Sequence, residues 1–286
     1  MYRKQQTKMS TTTLNKNLKL TPIFFLIPMF ILIALALYLH SKNALSKESY
    51  IHIQKDTFIR LNFHLSQFPR LAYNLTQFGD TLIVISFLTC LLLYVPKIKE
   101  PLILASIISA IFSISLKKLF AVPRPPSALD RHDFVIIGKA LTGHSSLPSG
   151  HTITVFTTLT VLWFVFFPKK ITYKIGWSLG LLSIGIIVAL TRVAIGAHYP
   201  IDVISGGLIG YISGLLGILL GSKVTFLNRL HPQKYHPILL VLCIICSILV
   251  LNKIVQEHLI IYNLTLISLA FTLYKLIFTY YVYKRY

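Results

Sequence analysis

Acidic residues are scarce in this sequence, which has 8 Asp and Glu against 28 Lys and Arg in 286 residues. Charged residues together make up only 13%, whereas an average soluble domain has about 25%. Hydrophobic residues reach 55% and the mean hydropathy is +0.70. This composition excludes an intrinsically disordered chain and argues against a soluble enzyme. We therefore expect a polytopic membrane protein.

Cysteine is also rare, since the chain contains only three. Cys90, Cys243 and Cys246 all fall inside apolar runs. Cys243 and Cys246 have the CxxC spacing, but no further cysteine and no nearby histidine completes a zinc site. We interpret all three as small packing residues.

Long apolar runs are abundant, and a transmembrane helix needs about 20 mainly apolar residues. We predict an all-α fold, a polytopic transmembrane helical bundle with a six-helix core and about two extra C-terminal helices. The eight runs are roughly Leu20–Leu39, Thr81–Val95, Leu102–Phe120, Thr152–Phe167, Ile175–Ala194, Val203–Leu220, Pro237–Leu251 and Leu259–Tyr281.

The distribution of Lys and Arg predicts the orientation of the bundle. Eight spans place both termini on one side, and the segments on that side carry the excess of basic residues, which marks the cytoplasm. Because these cations lie in short segments between apolar runs, we expect them to face a membrane surface rather than nucleic acid. The first run is longer than a usual signal-peptide core, which favours an uncleaved first helix over a signal peptide.

The segment Tyr50–Gly79 connects the first two runs on the outer side. Its apolar residues recur at spacings of three, four and seven, between Lys55, Arg60 and Arg70. This pattern is typical of an amphipathic helix that lies on the membrane. An ordinary packed connector is an equally good interpretation.

Three groups of polar residues stand at the outer ends of predicted helices. Ionisable residues at membrane depth are costly and are usually functional. Each group alone has a plain structural explanation, such as a helix cap or a snorkelling lysine, but their combination is specific. The groups are Lys117 with Arg124-Pro125, then Pro148-Ser149-Gly150-His151, then Thr191-Arg192 with His198 and Asp202.

The cations in these groups indicate an anionic substrate. Lys117, Arg124 and Arg192 have no matching acids, so they would repel one another unless a multiply charged anion neutralised them. Guanidinium groups bind phosphate oxygens through two parallel hydrogen bonds. The predicted helix start at Gly150 adds free N–H groups and a helix dipole. We therefore expect the substrate to be a phosphate monoester or a diphosphate.

Two histidines and one carboxylate supply groups for catalysis. Pro200 begins a predicted helix, so Asp202 lies in its first turn and reaches back toward His198. This pairing would fix the tautomer of His198 and leave its other nitrogen free to attack. His151, near the start of its own helix, is placed to protonate the leaving oxygen.

Together these residues resemble the active-site pattern of the type 2 phosphatidic acid phosphatase family, which is similar at that site to vanadium-dependent haloperoxidases. The family pattern is Lys-x6-Arg-Pro, Pro-Ser-Gly-His and Ser-Arg-x5-His-x3-Asp, and this chain departs from it in having Thr191 for serine. The resemblance covers about residues 80–220. It implies a membrane lipid phosphatase that forms a phosphohistidine and needs no metal and no cofactor.

The resemblance also implies a role for each residue. His198 would be the nucleophile, Asp202 would orient it, and His151 would act as general acid and then activate water. From its position beside the Pro-Ser-Gly-His turn, His144 is a further candidate for contact with a lipid head group, the alternative being a solvated loop. The residues that would bind the phosphoryl oxygens are Lys117, Arg124, Ser149, Gly150 and Arg192.

The substrates that the resemblance implies are undecaprenyl diphosphate, phosphatidylglycerophosphate, phosphatidic acid and lipid A, and the implied location is a bacterial inner membrane. The distribution of Lys and Arg predicts that the site faces the periplasm. A lipid-to-lipid phosphotransferase would use the same site, and a non-catalytic protein that binds or transports anionic lipid is a second alternative.

We divide the chain into a cytoplasmic tail (1–19), a phosphatase core (20–221), and a C-terminal loop with two more transmembrane helices (222–286).

Overall fold

A computed structural model describes residues 20–95, 98–223 and 232–285, and the predicted cytoplasmic tail lies outside these ranges. The described chain is helical throughout its regular structure, as the sequence predicts. A 3-10 turn, Gln77–Gly79, follows the fourth helix. The helices are α1 (Ile23–Ser41), α2 (Lys47–His52), α3 (Lys55–Leu65), α4 (Pro69–Thr76), α5 (Thr81–Tyr94), α6 (Lys99–Phe120), α7 (Pro125–Ala128), α8 (Gly150–Val165), α9 (Ile171–Ala194), α10 (Pro200–Lys223), α11 (Pro232–Glu257) and α12 (Ile260–Arg285).

Each of the eight apolar runs forms a helix, and six of these helices, among the described residues, are long and apolar enough to cross a membrane. The two shorter ones are α5, with 14 residues, and α8, with 16. The segment Pro69–Gly79 joins α5 at a bend of 65° and counts with it as a seventh candidate span. The chain is therefore a multi-pass membrane protein.

Local sequence explains where several helices begin and end. Asp80 precedes α5 and accepts a hydrogen bond from the Leu82 N–H at 2.8 Å, which satisfies one of the free donors at a helix start. Ala121 ends α6 in the left-handed region, with φ 45°. Gly196, with φ +75°, turns the chain after α9, and a Cβ there would lie 2.8 Å from the Val135 carbonyl oxygen.

Small residues bring α10 close to α8. A Cβ added at Gly206, Gly210 or Gly214 would lie between 2.5 and 2.8 Å from an atom of α8 or of the residue before it. Glycines spaced by four residues let two helix backbones approach closely, as is common in membranes. This contact holds the start of α10, with Asp202, against the start of α8.

The segment that follows α1 is a packed connector broken into short helices. Tyr50 of α2 and Phe58 of α3 are buried in one apolar cluster with Val122 and Tyr199. Asn62 donates to the carbonyl oxygens of residues 135, 193 and 194 and accepts from the residue 135 N–H, at 2.7 to 3.0 Å. The structure thus favours the connector over a continuous helix on the membrane surface.

The C-terminal helices α11 and α12 pack against α5. Lys253 of α11 forms an ion pair with Asp80 at 3.0 Å, and the Asn74 side chain accepts from the Ile261 N–H at 3.1 Å. Cys243 and Cys246 are free thiols, buried in an apolar cluster with Ile83 of α5 and Tyr262 of α12. This agrees with their interpretation as packing residues.

Candidate active site

His198 and Asp202 meet in the turn between α9 and α10. His198 Nδ1 lies 3.4 Å from Asp202 Oδ2, and both side chains are buried. This distance is slightly beyond that of an N–H···O hydrogen bond, and such bonds are often long before substrate binds. The structure therefore brings the proposed nucleophile and its orienting carboxylate together.

Three further donors hold the Asp202 carboxylate. Tyr50 Oη donates to Oδ1 at 2.6 Å. Ser146 Oγ donates to Oδ2 at 2.5 Å, and the Tyr199 N–H donates to the same oxygen at 2.9 Å. Sequence reasoning missed Tyr50 and Ser146, because neither belongs to a motif and Tyr50 lies 152 positions from its partner.

His198 is surrounded by positive charge. Burial lowers its pKa well below the ordinary value, and the charges of Arg124, Arg192 and Lys117 lower it further. A hydrogen bond to the Ser146 backbone raises the pKa of His198 but does not reverse the shift. His198 is therefore a neutral imidazole at neutral pH, which is the form that can act as a nucleophile.

Arg192 and Arg124 have guanidinium N–H groups that form no hydrogen bond within the described residues. Arg192 is 2% exposed and donates from Nη1 to Thr76 Oγ1 at 2.8 Å. Arg124 donates from Nε to Ser145 Oγ at 3.3 Å. The Nε and Nη2 atoms of Arg192 and Nη1 of Arg124 are buried with no hydrogen-bond partner among the residues that the structure describes. Buried donors normally have an acceptor, so this arrangement suits a ligand with several oxygens.

The start of α8 completes the cationic pocket. A Cβ on Gly150 would lie 3.0 Å from Lys117 Nζ, so the glycine leaves room for the ammonium group beside the helix N-terminus. Thr152 Oγ1 donates to Ser149 Oγ at 3.0 Å, which leaves the Ser149 hydroxyl proton free for an acceptor. The Ser149 N–H donates to the Asp202 backbone carbonyl at 2.9 Å and ties the two helix starts together.

The remaining predicted residues lie at the edge of this pocket. His151 follows Gly150 in α8 and packs under the 3-10 turn, where a Cβ on Gly79 would be 2.7 Å from His151 Cβ. His144 is exposed on the loop before α8. Its neighbour Gly143 accepts from the Arg124 N–H at 2.9 Å, so His144 is near the pocket but is turned to its outside surface.

A cleft of about 420 Å³ lies beside the pocket and has Gly150 and His151 in its lining. It begins at Gly150 and His151 and follows α8 as far as Thr158, between α5 and α6. Ile85 and Ile114 on its walls are 37% and 57% exposed, so the cleft is open at the surface of the helical bundle. The cleft is lined mainly by apolar side chains and by small serines and threonines.

Comparison with known proteins identifies the same region of the chain. Residues 98–226 match the family model of the PAP2 superfamily. Lipid A 1-phosphatases of Rhizobium johnstonii and Rhizobium etli are 31% and 30% identical over 150 residues, which is 50% of this chain and 56% and 59% of those proteins. The chain thus matches little more than half the length of these relatives.

One further relative matches a shorter part of this chain, and one solved structure is similar to it. The bacitracin transport permease protein BcrC of Bacillus licheniformis is 34% identical over 86 residues, 30% of this chain and 38% of that protein. The crystal structure of Aquifex aeolicus LpxE gives a TM-score of 0.49 at 29% identity, over 58% of this chain and 95% of that one. Residues 98–226, with the motif residues that they contain, are thus similar to the PAP2 superfamily, in agreement with the resemblance of the motifs to the type 2 phosphatidic acid phosphatases.

Proposed function

We propose that this protein is a lipid phosphatase that hydrolyses a phosphate or diphosphate ester through a phosphohistidine on His198. The observation that carries the proposal is the set of buried guanidinium donors of Arg192 and Arg124, without acceptors among the described residues, around a neutral imidazole. A phosphoryl group offers several charged oxygens and one electrophilic phosphorus. It would satisfy the donors and present its phosphorus to the nucleophile.

In the first step, Nε2 of His198 attacks phosphorus, and the N–P bond forms as the bond from phosphorus to the lipid oxygen breaks. The negative charge of the bound phosphate favours the imidazolium form of His151. His151 then gives its proton to the departing oxygen, so the lipid leaves as an alcohol or as a monophosphate. Asp202 holds Nδ1 of His198 and stabilises the positive charge that the ring acquires. The Arg124, Arg192 and Lys117 cations stabilise the phosphoryl oxygens, whose charge dominates the transition state.

In the second step, the now neutral His151 takes a proton from water as the water oxygen attacks phosphorus. The N–P bond breaks and its electron pair returns to Nε2, which releases inorganic phosphate and restores both histidines. The three cations and the N-terminus of α8 supply the charge that a metal ion supplies in other phosphatases. We therefore propose that the reaction proceeds without a metal.

The cleft supports a lipid as the rest of the substrate. His198 and Arg192 are buried, and the cleft beside the pocket has Gly150 and His151 in its lining and is open at the surface of the helical bundle. A hydrocarbon chain in this cleft would lie beside α8 while its phosphate enters the pocket. The rhizobial relatives are named as lipid A 1-phosphatases, which makes lipid A the first substrate to test.

We also propose that the site faces the periplasm of a bacterial inner membrane and that both termini are cytoplasmic. The pocket is built from the C-terminal ends of α6 and α9 and the N-terminal ends of α8 and α10, all of which lie at one end of the bundle. The excess of Lys and Arg in the segments at the opposite end supports this orientation.

The test is phosphate release by the detergent-purified protein from lipid A, undecaprenyl diphosphate, phosphatidylglycerophosphate and phosphatidic acid, with and without EDTA. We expect release from at least one lipid, no effect of EDTA, and loss of turnover in His198→Ala. His64→Ala, which changes an exposed histidine of α3, is the matched control and should retain full activity.

Other outcomes separate the alternatives. Transfer to a second lipid, without release to water, would favour the phosphotransferase. Binding of the lipid phosphates without turnover, and equally in His198→Ala, would favour a non-catalytic lipid-binding protein. Activity that persists in His198→Ala would contradict the role of His198, and activity that EDTA abolishes would contradict the metal-free reaction.

A further inference from the structure

The outer helices contribute a buried tyrosine hydroxyl to the active site. Tyr50 lies in α2, outside residues 98–226 that match the family. Its side chain is 3% exposed, and its Oη donates to Asp202 Oδ1 at 2.6 Å. Short hydrogen bonds from a hydroxyl to a buried carboxylate are among the stronger ones in proteins.

Gln54 links Tyr50 to the start of α10 through two hydrogen bonds. Its Nε2 donates to the Tyr50 carbonyl at 2.9 Å, and its Oε1 accepts from the Ile201 N–H at 2.9 Å. The first N–H groups of a helix have no partner within the helix, so Gln54 caps α10 while it holds the end of α2. The position of Tyr50 relative to Asp202 is therefore fixed both by their direct hydrogen bond and by the link through Gln54.

Aromatic rings keep water away from this bond. The Tyr50 ring meets the Tyr199 ring edge to face with centroids 6.5 Å apart, and Phe58 packs on Tyr199 at 5.4 Å. Burial raises the pKa of Tyr50 well above its ordinary value, and the negative charge of Asp202 raises it further. Tyr50 thus keeps its proton and remains a donor over the whole working range of pH.

We propose that Tyr50 is a positioning residue for the phosphatase reaction, which holds Asp202 by Oδ1 so that Oδ2 faces Nδ1 of His198. This inference rests on the proposed function. A carboxylate fixed by one oxygen cannot rotate freely about its Cβ–Cγ bond, so it keeps the proton of His198 on Nδ1 and leaves Nε2 for attack. Because Tyr50 donates to the carboxylate rather than to the phosphate pocket, its loss should slow the chemical step more than it weakens binding.

The test replaces Tyr50 by phenylalanine, which removes the hydroxyl and keeps the ring. We expect Tyr50→Phe to lower kcat by roughly tenfold or more, with KM within about twofold, since a lost hydrogen bond to a charged group has an effect of this size. In the Asp202→Asn background, where Oδ1 no longer belongs to a carboxylate, the same change should have much less effect. Gln54→Leu, which loosens α2 from α10, should lower kcat by a smaller factor.

Tyr262→Phe is the matched control. Tyr262 is also buried and donates to a carboxylate, that of Glu257, at 2.5 Å in the C-terminal helices. It should change thermal stability without changing kcat. A kcat of Tyr50→Phe equal to that of the wild type, a loss expressed only in KM, or an equal loss in the Asp202→Asn background would overturn the inference.

A readout without turnover separates this inference from the proposed function. The ¹⁵N chemical shifts of His198 report which nitrogen carries the proton. We expect the Nδ1–H tautomer in the wild type and a mixture in Tyr50→Phe. If no lipid is hydrolysed but the tautomer changes in this way, the positioning role holds and the phosphatase proposal fails. If lipids are hydrolysed and both proteins show the same tautomer and the same kcat, the positioning role fails.

Discussion

Arg192 Nη1 donates to Thr76 Oγ1 over 2.8 Å, with both side chains buried. This bond joins the end of α9 to the end of α4, two helices that are far apart in the sequence. Thr76 accepts one of the five guanidinium protons and thereby directs the others, of which Nε and Nη2 have no partner among the described residues. The orientation of the arginine in the pocket thus depends on a helix that carries none of the family motifs.

Replacing Thr76 by valine should weaken substrate binding. The change preserves shape and removes the acceptor, so a buried guanidinium donor is left unsatisfied and Arg192 is no longer held in one orientation. We expect KM to rise by roughly tenfold, the size of effect for a lost hydrogen bond to a charged group. Steady-state phosphate release measures it.

Thr265→Val provides the comparison for this change. Thr265 is equally buried, but its hydroxyl donates to the Ile261 carbonyl within α12, far from the pocket. It should leave KM unchanged. An unchanged KM in Thr76→Val as well would show that Arg192 does not need this partner.

The pH dependence of stability should reflect His198. Its pKa in the folded protein is lowered by burial and by the charges of Arg124, Arg192 and Lys117, whereas in the unfolded chain it is about 6.5. The unfolded state therefore binds more protons just below that pH, so the contribution to stability is complete above about pH 6.5 and is lost as the pH falls below it.

We expect the Tm of the wild type in detergent to fall more steeply below about pH 6.5 than that of His198→Gln, which cannot titrate at this position. Thermal unfolding in phosphate-free buffers at constant ionic strength measures the two slopes. His64→Gln, at an exposed position, should retain the slope of the wild type. Equal slopes in all three proteins would mean that His198 titrates in the folded protein as it does in the unfolded chain.

Blocking the cleft should discriminate against long hydrocarbon chains. Thr158 lies two turns along α8 from His151 and lines the cleft, so Thr158→Trp would fill the end of the cleft that is farthest along α8 from His151. We expect a KM raised at least several-fold for long-chain lipid phosphates, with short-chain phosphate esters hydrolysed as by the wild type. Phosphate release from a series of alkyl phosphates of increasing length measures this.

Ile107→Trp is the control for added bulk, because Ile107 is 52% exposed on α6 and does not line the cleft. It should behave as the wild type at every chain length. If Thr158→Trp lowers phosphate release equally for short and long chains, the variant has a folding defect. Ser106→Trp, on the opposite wall of the cleft, then tests whether blocking the cleft discriminates against long chains. If neither cleft variant depends on chain length, the hydrocarbon lies elsewhere.

The helices could be predicted closely because they depend on local properties of the chain. Each predicted apolar run lies mainly within an observed helix, since a segment inside a membrane must satisfy its own backbone hydrogen bonds. The connector after α1 could not be decided in the same way. Its apolar spacing fits a surface helix and a packed segment equally, and only its contacts, such as those of Tyr50 and Asn62, distinguish the two.

The same distinction applies to the active site. His198 and Asp202 are four residues apart, so the geometry of one turn and one helix start is enough to bring them together. Ser146 and Thr76 carry no such signal, because a serine or threonine outside a motif is compatible with many environments. Their roles follow from hydrogen bonds over 56 and 116 positions of sequence, which no local pattern encodes.

The amino-acid sequence alone predicts that this chain crosses a membrane several times and that three motif groups supply two histidines, one carboxylate and three cations. Composition, apolar length and short spacings are sufficient for this, since each acts within one helix or one turn. Tertiary structure alone decided which residues hold Asp202 and Arg192 in place and where a cleft lies beside the pocket. These depend on how separate helices pack, through close approach at Gly206, Gly210 and Gly214 and through buried hydrogen bonds from the outer helices.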